Sequence, residues 1–345
     1  MYCAKPGEKS LRSGGQMTRF GMNPARNKNI SYAPSRVTAA MMTYIPNLEG
    51  YFTHRLDVLK LSLGSLINSI DRQTDVMVLN NGSCAEVREY LDHQLEIGRI
   101  GYLIHSQRNL GVIGGIKTLF NAVPGEVIAY SDDDVLYYPG WMDAHLKILD
   151  TFPKAGMISG APVGYSSEHA VNAVERLISG EPQGLTVQEK ARVEDWEESW
   201  AISTGRSVSE HLQAIQDTPN KHLIFQGIEA VQSAKHFQFV TPKKVICEAF
   251  SPDWSGSLMD GMVALDESVD NLGYLRLTTP QRYARHIGNT ISQEIKDEAK
   301  KLGIEVISEV HDIQEHEHWL LRIPGSGRIL WPLYRWLFKV LHKVK

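Results

Sequence analysis

The sequence predicts an α/β protein whose central sheet is mostly parallel and flanked by helices. Short apolar runs typical of buried strands alternate with single segments in which apolar residues recur at helical spacing. Such alternation produces parallel strands joined by right-handed crossovers. The run at 127–130 is followed by three consecutive carboxylates, Asp132, Asp133 and Asp134. Because ligands bind beyond the carboxyl ends of strands in open α/β sheets, this position is a candidate site.

The elements follow a regular order from residue 37 onwards. Strands are predicted at 37–42, 76–79, 102–104, 127–130, 156–160, 236–240 and 245–248. Helices are predicted at 55–70, 84–95, 112–120, 139–149, 262–272 and 291–302. In the first helix, for example, Leu56, Leu59, Leu63 and Leu66 fall on one face, which is typical of a helix packed on a sheet.

The composition changes in three places that suggest domain boundaries. Residues 1–35 are basic and poor in apolar side chains, which favours a flexible arm. Residues 164–235 have polar breaks and an acidic, helix-prone run, which favours a helical insertion beside the sheet. Residues 291–345 are predicted to form a helical extension with a basic tail. The main α/β domain then spans 36–290.

Length and charge exclude several classes of protein. The 345 residues carry a formal net charge of −4, whereas a general nucleic-acid binder would be basic. Three cysteines without a Cys-x-x-Cys pair indicate neither a disulfide framework nor a zinc site, which fits a reducing cytoplasm. No apolar run is long enough to span a bilayer.

The acidic triplet needs a compensating cation if it is buried. Adjacent carboxylates repel one another, and a nearby positive charge favours their ionised form. Oxygen ligands favour Mg²⁺ or Mn²⁺, which usually share their coordination shell with substrate phosphates. The alternative is a solvated surface loop or a helix cap.

The order of four motifs is more specific than any one of them. Thr43-Tyr44-Ile45-Pro46-Asn47, Asn80-Asn81-Gly82-Ser83, Arg108-Asn109-Leu110-Gly111 and Asp132-x-Asp134 with Pro139 occur in this sequence over residues 37–290. In this order the chain resembles the GT-A glycosyltransferases, in particular the inverting family 2 group that uses nucleotide-diphosphate sugars. It departs from that family at Asn80, where an aspartate is usual.

The resemblance implies a metal-dependent, inverting transfer of a sugar from a nucleotide-diphosphate sugar, with UDP favoured over GDP or dTDP. The insertion at 164–235 would then lie on the acceptor side. The nucleotide would be bound by Thr43, Tyr44, Asn80, Arg108, Asn109, Asp132 and Asp133. The Mn²⁺ or Mg²⁺ ion would be bound by Asp134, with Asp132 and His286.

An inverting transfer also needs a general base that takes the proton of the acceptor hydroxyl. The resemblance places this acid near the start of the last core helix, which favours Asp260. An aspartate before a helix can equally be a cap, and Asp253, Asp266 and Glu267 are competitors. Arg276 and Arg282 could contact phosphate or acceptor, or form ordinary ion pairs.

The tail from Arg328 to Lys345 has one apolar helical face, basic residues opposite and aromatic residues at the borders. This composition is typical of a helix at a membrane surface, although docking on the protein's own core is an equal alternative. A membrane-bound enzyme would have a lipid-linked acceptor or a growing surface glycan. We therefore expect a cytoplasmic protein at the inner face of the cytoplasmic membrane.

Two other functions stay open from the sequence. A sugar-nucleotide nucleotidyltransferase also combines an α/β sheet with a divalent metal, but it would be expected to carry a basic, glycine-rich loop after the first strand. The stretch Thr43–Gly50 contains neither lysine nor arginine. A glycan-assembly scaffold with a decayed site is the second alternative, for which Asn80 gives some support.

Overall fold

The computed structural model describes residues 23–26, 28–164, 169–250 and 261–304. The chain divides into two compact units, Met1–Pro34 and Ser35–Lys345. In the first unit, the described residues are exposed and contain a turn but neither helix nor strand. All the elements below belong to the second unit.

The described part of the second unit contains twelve strands, ten α-helices and one short 3-10 helix, Gly50–Phe52. The strands are β1 Val37–Thr43, β2 Asp75–Asn81, β3 Tyr102–Ser106, β4 Val127–Ser131, β5 Val135–Tyr137, β6 Ala155–Ser159, β7 Leu185–Lys190, β8 Asn220–Phe225, β9 Ile228–Gln232, β10 Gln238–Pro242, β11 Leu275–Thr278 and β12 Ala284–His286. The helices are α1 Arg55–Asn68, α2 Ala85–Glu96, α3 Gly111–Ala122, α4 Trp141–Thr151, α5 Asn172–Ser179, α6 Glu194–Ser203, α7 Val208–Ile215, α8 Lys243–Ala249, α9 Met262–Asn271 and α10 Gln293–Lys301.

Ten strands form one sheet in the order β3-β2-β1-β4-β10-β6-β11-β9-β8-β7. The first four are parallel, as are β6 and β11, whereas β10 runs antiparallel between β4 and β6. The predicted α/β class with helices on the sheet is therefore confirmed. The chain order reverses between β1 and β4, so the crevice at their carboxyl ends is a topological switch point.

The core has two halves, one on each face of the sheet. Alternate residues of β1 show this: Ala39 and Met41 pack with α1, α2 and α4, whereas Ala40 and Met42 pack with α3, α8 and α9. Both faces are covered, so the central strands are apolar throughout, as expected for buried parallel strands.

Three parts of the fold differ from the sequence-based expectation. The predicted strand at 245–248 is wrong, because Lys243–Ala249 is the helix α8. Val245 and Ile246 are buried on the face that α9 also covers, and so short an apolar run cannot distinguish a buried helix from a strand. The segment 164–235 contains three helices and also the strands β7, β8 and β9, which extend the sheet.

The third difference is a small second sheet. The strands β5 and β12 pair antiparallel, with His286 opposite Val135. Each has only three residues, which is too short for a periodic pattern to predict. This pairing determines what lies next to the acidic triplet.

Within the described residues, none of the helices is both long and apolar enough to cross a membrane. The basic tail at 328–345 lies outside the described residues, so the amphipathic helix expected there stays a prediction.

Candidate active site

The acidic triplet lies at the carboxyl end of β4, in the middle of the large sheet. All five residues of β4 are buried, and the strand lies between β1 and β10. The amide of Asp132 donates to the carbonyl of Phe237 at 2.8 Å, and the amide of Ile287 donates to the carbonyl of Asp134 at 2.7 Å. The triplet is therefore attached to the segment before β10 on one side and to the end of β12 on the other.

Arg55, the first residue of α1, is the cation among these carboxylates. Its guanidinium contacts Asp133 and lies 2.9 Å from Asp134 Oδ2. It also donates to the carbonyl of Gly288 at 3.2 Å. The expectation that a buried triplet needs a positive charge is met in part by the chain itself, before any metal is considered.

The sequence analysis did not select Arg55. The available signal was a basic residue in the first turn of an apolar helix, where the helix dipole favours acidic side chains. A cation at such a position needs a specific acidic partner, and here it has two.

The three carboxyl groups differ in protonation. Burial and the negative charge of Asp134 raise the pKa of Asp132 well above its ordinary value, and the hydroxyl of Tyr130 lies 2.5 Å from Asp132 Oδ1. Burial acts against ionisation of Asp134, but the positive charges of His286 and Arg55 outweigh it, so the pKa of Asp134 is lowered. Asp134 is therefore the carboxylate of the three that stays ionised most readily.

The first strand reaches the triplet directly. The hydroxyl of Thr43, the last residue of β1, donates to Asp133. The next residue, Tyr44, is half-buried and packs edge-on against Phe52, with ring centroids 6.5 Å apart. The predicted nucleotide residues Thr43 and Tyr44 thus border the switch point, with Thr43 in contact with the triplet.

The second motif, at 80–83, is attached to the first, at 43–47. The amide of Ile45 donates to Ser83 Oγ at 3.0 Å. Asn80 is fully buried. Its Oδ1 accepts the amide proton of Ser83 at 2.8 Å, and its Nδ2 lies 3.0 Å from His105 Nδ1. Both ends of the Asn80 amide therefore have partners within the fold and hold the turn after β2 in place.

The second and third motifs, 28 residues apart, are joined through Asn81. Its Oδ1 accepts the amide proton of Leu110 at 2.9 Å, and its Nδ2 donates to Asn109 Oδ1 at 3.2 Å. Gly82 lets the two turns approach, because a Cβ there would lie 2.9 Å from the Arg108 carbonyl carbon. The side chain of Arg108 is exposed, so it is accessible to a ligand at this edge.

His286 is brought to the triplet by the β5–β12 pair. Its Nε2 lies 3.5 Å from Asp134 Oδ2. Its ring packs edge-on against Trp200 and Phe237, at centroid distances of 5.5 and 5.4 Å. Asp134 and His286, which are 152 positions apart in the chain, are therefore neighbours, as their assignment to one site requires.

The aromatic rings beside His286 continue to a half-buried lysine. Trp200 stacks on Phe237, and the ammonium of Lys235 lies 5.3 Å from the Trp200 ring centroid. Burial lowers the pKa of Lys235 to about 7. Trp200, Phe237 and Lys235 together form one wall of the site. The wall comes from α6 and from the segment between β9 and β10, which the sequence analysis did not select as part of a site.

Two neighbouring side chains in the described part of the chain, Asp134 and His286, have atoms that could serve as ligands to a divalent cation. Asp134 Oδ1 and His286 Nδ1 are buried and lack hydrogen-bond partners among the described residues, and carboxylate with imidazole is a ligand set that Mn²⁺ accepts. No group of three histidine, cysteine or acidic side chains suited to a metal is found in the described ranges. A cation there would complete its shell with water and ligand oxygens, as Mg²⁺ and Mn²⁺ usually do.

The remaining acidic and basic candidates have these positions. Asp253 and Asp260 lie outside the described residues, so the assignment of Asp260 as general base stays a prediction. Asp266 is buried beside Arg276, whose guanidinium lies 2.9 Å from its Oδ1. Arg282 donates to Ser199 Oγ at 2.8 Å and lies over Trp196. Arg276 is therefore inaccessible to phosphate, and Arg282 is held by protein contacts.

Comparison with known proteins gives one family match. Residues 52–208 match the model of the family described as "Glycosyl transferase family 2". This segment begins just before α1 and includes Arg55, the Asn80 and Asn109 turns and the triplet. The search of curated proteins found no match.

Three of the solved structures that resemble the chain, all at low identity, were solved with a nucleotide or a nucleotide sugar bound. GalNAc-T7, solved with UDP, GalNAc and Mn²⁺, is 13% identical with a TM-score of 0.46, and the alignment covers 72% of this chain and 43% of that one. The mannosyltransferase PcManGT from Pyrobaculum calidifontis, solved with GDP-Man and Mn²⁺, is 14% identical with a TM-score of 0.38 and coverages of 74% and 59%. TarS 1-349 from S. aureus, solved with UDP, is 12% identical with a TM-score of 0.39 and coverages of 78% and 64%.

This chain thus spans between 43% and 64% of the length of those three chains. The family match includes Arg55, the turns at Asn80 and Asn109 and the triplet, whereas Thr43, Phe237 and His286 lie outside it. Over residues 52–208, somewhat less than half of its length, the chain is therefore similar to family 2 glycosyltransferases.

Proposed function

We propose that this chain is a glycosyltransferase that moves a sugar from a nucleotide-diphosphate sugar, with a UDP-sugar favoured, to a glycan or lipid-linked acceptor, with inversion at the anomeric carbon. The observation that carries the proposal is the convergence of Asp134, His286 and Arg55 at the switch point between β1 and β4. The Nε2 of His286 and the NH1 of Arg55 lie 3.5 and 2.9 Å from the same oxygen of Asp134.

The nucleotide would lie in the crevice beside the first three motifs. Thr43 ends the first strand and Tyr44 follows it, and the turns at Asn80 and Asn109 are joined through Asn81. Arg108, exposed at this edge, can donate to a phosphate or a ribose, because its planar guanidinium suits both. Asp132 would face the ribose or a metal-bound water, and Asp133 could take either role.

A divalent cation, Mn²⁺ or Mg²⁺, would supply electrostatic stabilisation of the departing nucleoside diphosphate. Asp134 and His286 are the residues that would hold it, with Asp132 as a further ligand once it has lost its proton. Arg55 fixes the carboxylates of Asp133 and Asp134 in place. Its positive charge also limits the repulsion that the donor phosphates would meet at an acidic site.

The acceptor would approach from the wall formed by Trp200, Phe237 and Lys235. The aromatic rings of Trp200 and Phe237 offer apolar surface for a sugar face, and Lys235 offers a positive charge beside them. We further propose that the tail at 328–345 brings the enzyme to the inner face of the cytoplasmic membrane, where a lipid-linked acceptor would be found. Its basic and apolar composition supports this, and no nucleic acid partner is proposed.

A donor panel tests the proposal. The purified chain is incubated with UDP-, GDP- and dTDP-hexoses and Mn²⁺, and the products are separated by chromatography. We expect release of the nucleoside diphosphate from one class of donor, slowly with water alone and faster with an acceptor. Exchange of labelled pyrophosphate into the nucleotide sugar would instead indicate a nucleotidyltransferase. If neither nucleoside diphosphate release nor pyrophosphate exchange is detected, the chain is an inactive scaffold.

A further inference from the structure

Two adjoining cavities lie outside the residues to which the proposed function gives a role. One has a volume of about 320 Å³ and is lined by Trp196 and Glu229, among others. The second has a volume of about 390 Å³, and Tyr283 and Glu229 are part of its lining. Because Glu229, Pro280 and Gln281 line both cavities, we treat the pair as one groove, the distal groove. Each volume is in the range of small-molecule sites, about 300–1,000 Å³.

The distal groove lies along the same edge of the large sheet as the acidic triplet. The strand β10 runs antiparallel to both β4 and β6, and β11 runs parallel to β6, so the carboxyl ends of β4, β6 and β11 lie at one edge. The triplet follows β4, whereas Pro162 and Pro280, which line the first cavity, follow β6 and β11. At about 4.8 Å between neighbouring strands, β11 lies about 15 Å from β4. A ligand that occupies both places must therefore be an extended molecule.

Protein surface connects the groove to the site. The segment between β11 and β12 lines the groove where it leaves β11, and it leads into β12, which ends at His286. Trp196 and Trp200 are four residues apart on α6 and so lie on one face of that helix. Both line a narrow cleft together with His286, and the guanidinium of Arg282 lies 5.7 Å from the Trp196 ring centroid. Aromatic surface therefore extends from His286 to the groove.

The lining of the groove combines aromatic rings with fixed polar groups. Trp196 and Tyr283 are half-buried and belong to the two different cavities. Glu229, which both cavities share, accepts a hydrogen bond from Lys190 and lies 2.6 Å from His222 Nδ1. Both contacts use Oε1, so Oε2 can accept a hydroxyl proton from a ligand. Rings that cover the C–H face of a sugar, beside a carboxylate that binds its hydroxyls, suit a carbohydrate.

The charges in the groove are balanced, which distinguishes between classes of ligand. In the first cavity the ammonium of Lys190 pairs with Glu229. The second cavity is lined by one acid and one base from α4, Asp143 and Lys147. A polyanion would need a lining of net positive charge, and a lipid chain would leave these polar groups buried without partners. The lining therefore favours a neutral glycan.

We propose that the distal groove binds the inner sugars of a neutral oligosaccharide whose terminal sugar lies at the site beside His286. The identification of this oligosaccharide as the acceptor rests on the proposed function, whereas its binding in the groove needs neither donor nor metal. Trp196 and Tyr283 stack on sugar rings, and Glu229 accepts hydroxyl protons. The enzyme then extends an existing glycan chain and discriminates against single sugars, which cannot reach the groove from the site.

Glycan binding without a donor tests the groove by itself. Isothermal titration calorimetry of the full chain in EDTA compares the monosaccharides and the linear tetrasaccharides of glucose, mannose and N-acetylglucosamine. We expect one tetrasaccharide to bind at least about tenfold more tightly than its monosaccharide, because it stacks on further rings. Glu229→Gln should weaken that binding by about tenfold, since a charged hydrogen-bond acceptor becomes a neutral one. Trp196→Ala should weaken it as well, and Glu89→Gln, an exposed position on α2, is the control that should bind like the unchanged chain.

Transfer kinetics connect the groove to the reaction. With Mn²⁺ and the donor that the chain accepts, Glu229→Gln should release the nucleoside diphosphate at the unchanged rate in water alone. Its KM for the tetrasaccharide should rise by about tenfold with kcat unchanged, which is the pattern for loss of binding that ground state and transition state share.

The outcomes separate the groove from the proposed function. The inference is overturned if no tetrasaccharide in the panel binds more tightly than its monosaccharide, or if Glu229→Gln binds the tetrasaccharide as tightly as the unchanged chain. Release of a nucleoside diphosphate would still leave the proposed function standing in that case. If a tetrasaccharide binds through Glu229 but no donor releases a nucleoside diphosphate, the groove is a glycan site and its role in transfer is wrong.

Discussion

The guanidinium of Arg55 and the carboxylate of Asp134 lie 2.9 Å apart, with only 9% and 14% of their side chains exposed. Asp133 contacts the same guanidinium. Removing one partner of so buried a pair is costly, because the remaining charge has neither water nor a counter-ion. The acidic site is therefore stabilised by a residue from α1, a helix that lies 79 positions earlier in the chain.

Arg55→Met should destabilise the fold strongly. We expect the free energy of unfolding to fall by about 3–5 kcal/mol, since two buried carboxylates lose their cation. Urea denaturation measures this loss, and added Mn²⁺ should recover part of it by binding the exposed carboxylate oxygens. The control is Arg36→Met, which removes an ion pair whose side chains are 52% and 49% exposed and should cost about 1 kcal/mol or less.

Equal losses in Arg55→Met and Arg36→Met would contradict this explanation. They would mean that solvent or another group compensates Asp133 and Asp134.

The sequence predicted the need for a cation at 132–134 and the role of the sheet edge, because both follow from local patterns. It could not identify Arg55, whose significance depends on the contact between the start of α1 and the segment after β4. Likewise, His286 was suggested by family resemblance, but its contact with Asp134 depends on the three-residue strands β5 and β12. Elements so short have no periodicity from which they could be predicted.

His145 should make stability depend on pH. It is buried, with Nδ1 2.6 Å from the Trp141 carbonyl and Nε2 3.2 Å from the side-chain amide nitrogen of Gln238. Burial lowers the pKa of His145 from 6.5 to about 4. Between these values the unfolded chain takes up a proton that the folded chain does not, so this contribution to stability is complete above pH 6.5 and is lost as the pH falls towards 4.

As the pH falls from 7 to 5, protonation of His145 in the unfolded chain should lower the free energy of unfolding by about 2 kcal/mol. Urea denaturation at both values measures the change, and His145→Gln should show a correspondingly smaller dependence on pH. His93→Gln, at an exposed position, should keep the full dependence. A dependence in His145→Gln equal to that of the unchanged chain would show that His145 is not its source.

A side chain at Gly288 should destabilise the fold through a steric clash, and Gly273 serves as the control for the backbone effect. Both Gly288 and Gly273 have a φ of +82°, but a Cβ on Gly288 would lie 2.7 Å from the carbonyl oxygen of Ser203, whereas nothing lies within 4 Å at Gly273. Both alanine variants incur the left-handed penalty of about 1 kcal/mol. Gly288→Ala should lose about 1–3 kcal/mol more through overpacking.

Thermal or urea unfolding of the two variants measures the difference. Because the Gly288 carbonyl also accepts from Arg55, the Gly288→Ala variant should bind nucleotide more weakly as well. Indistinguishable stabilities would show that α6 moves freely away from β12.

The segment 164–235 shows where sequence patterns mislead. Its acidic run at 189–198 includes the start of α6, but the same segment also contributes β7, β8 and β9 to the sheet. The residues of β7 after Leu185 are exposed, so this strand at the edge of the sheet lacks the apolar alternation by which strands are recognised. The importance of Trp200 and Phe237 was equally hidden, since their contact with His286 joins three distant segments.

The most direct test of the account is the dependence of UDP binding on Mn²⁺, measured by isothermal titration calorimetry with and without EDTA. The unchanged chain should bind UDP at least about tenfold more tightly with Mn²⁺, because Asp134 and His286 hold the cation against the two phosphates. Asp134→Asn should bind weakly and equally in both conditions, whereas Asp143→Asn, an exposed acid on α4, should behave like the unchanged chain. If Asp134→Asn keeps the full gain from Mn²⁺, the cation is not held at this triplet and the central claim is wrong.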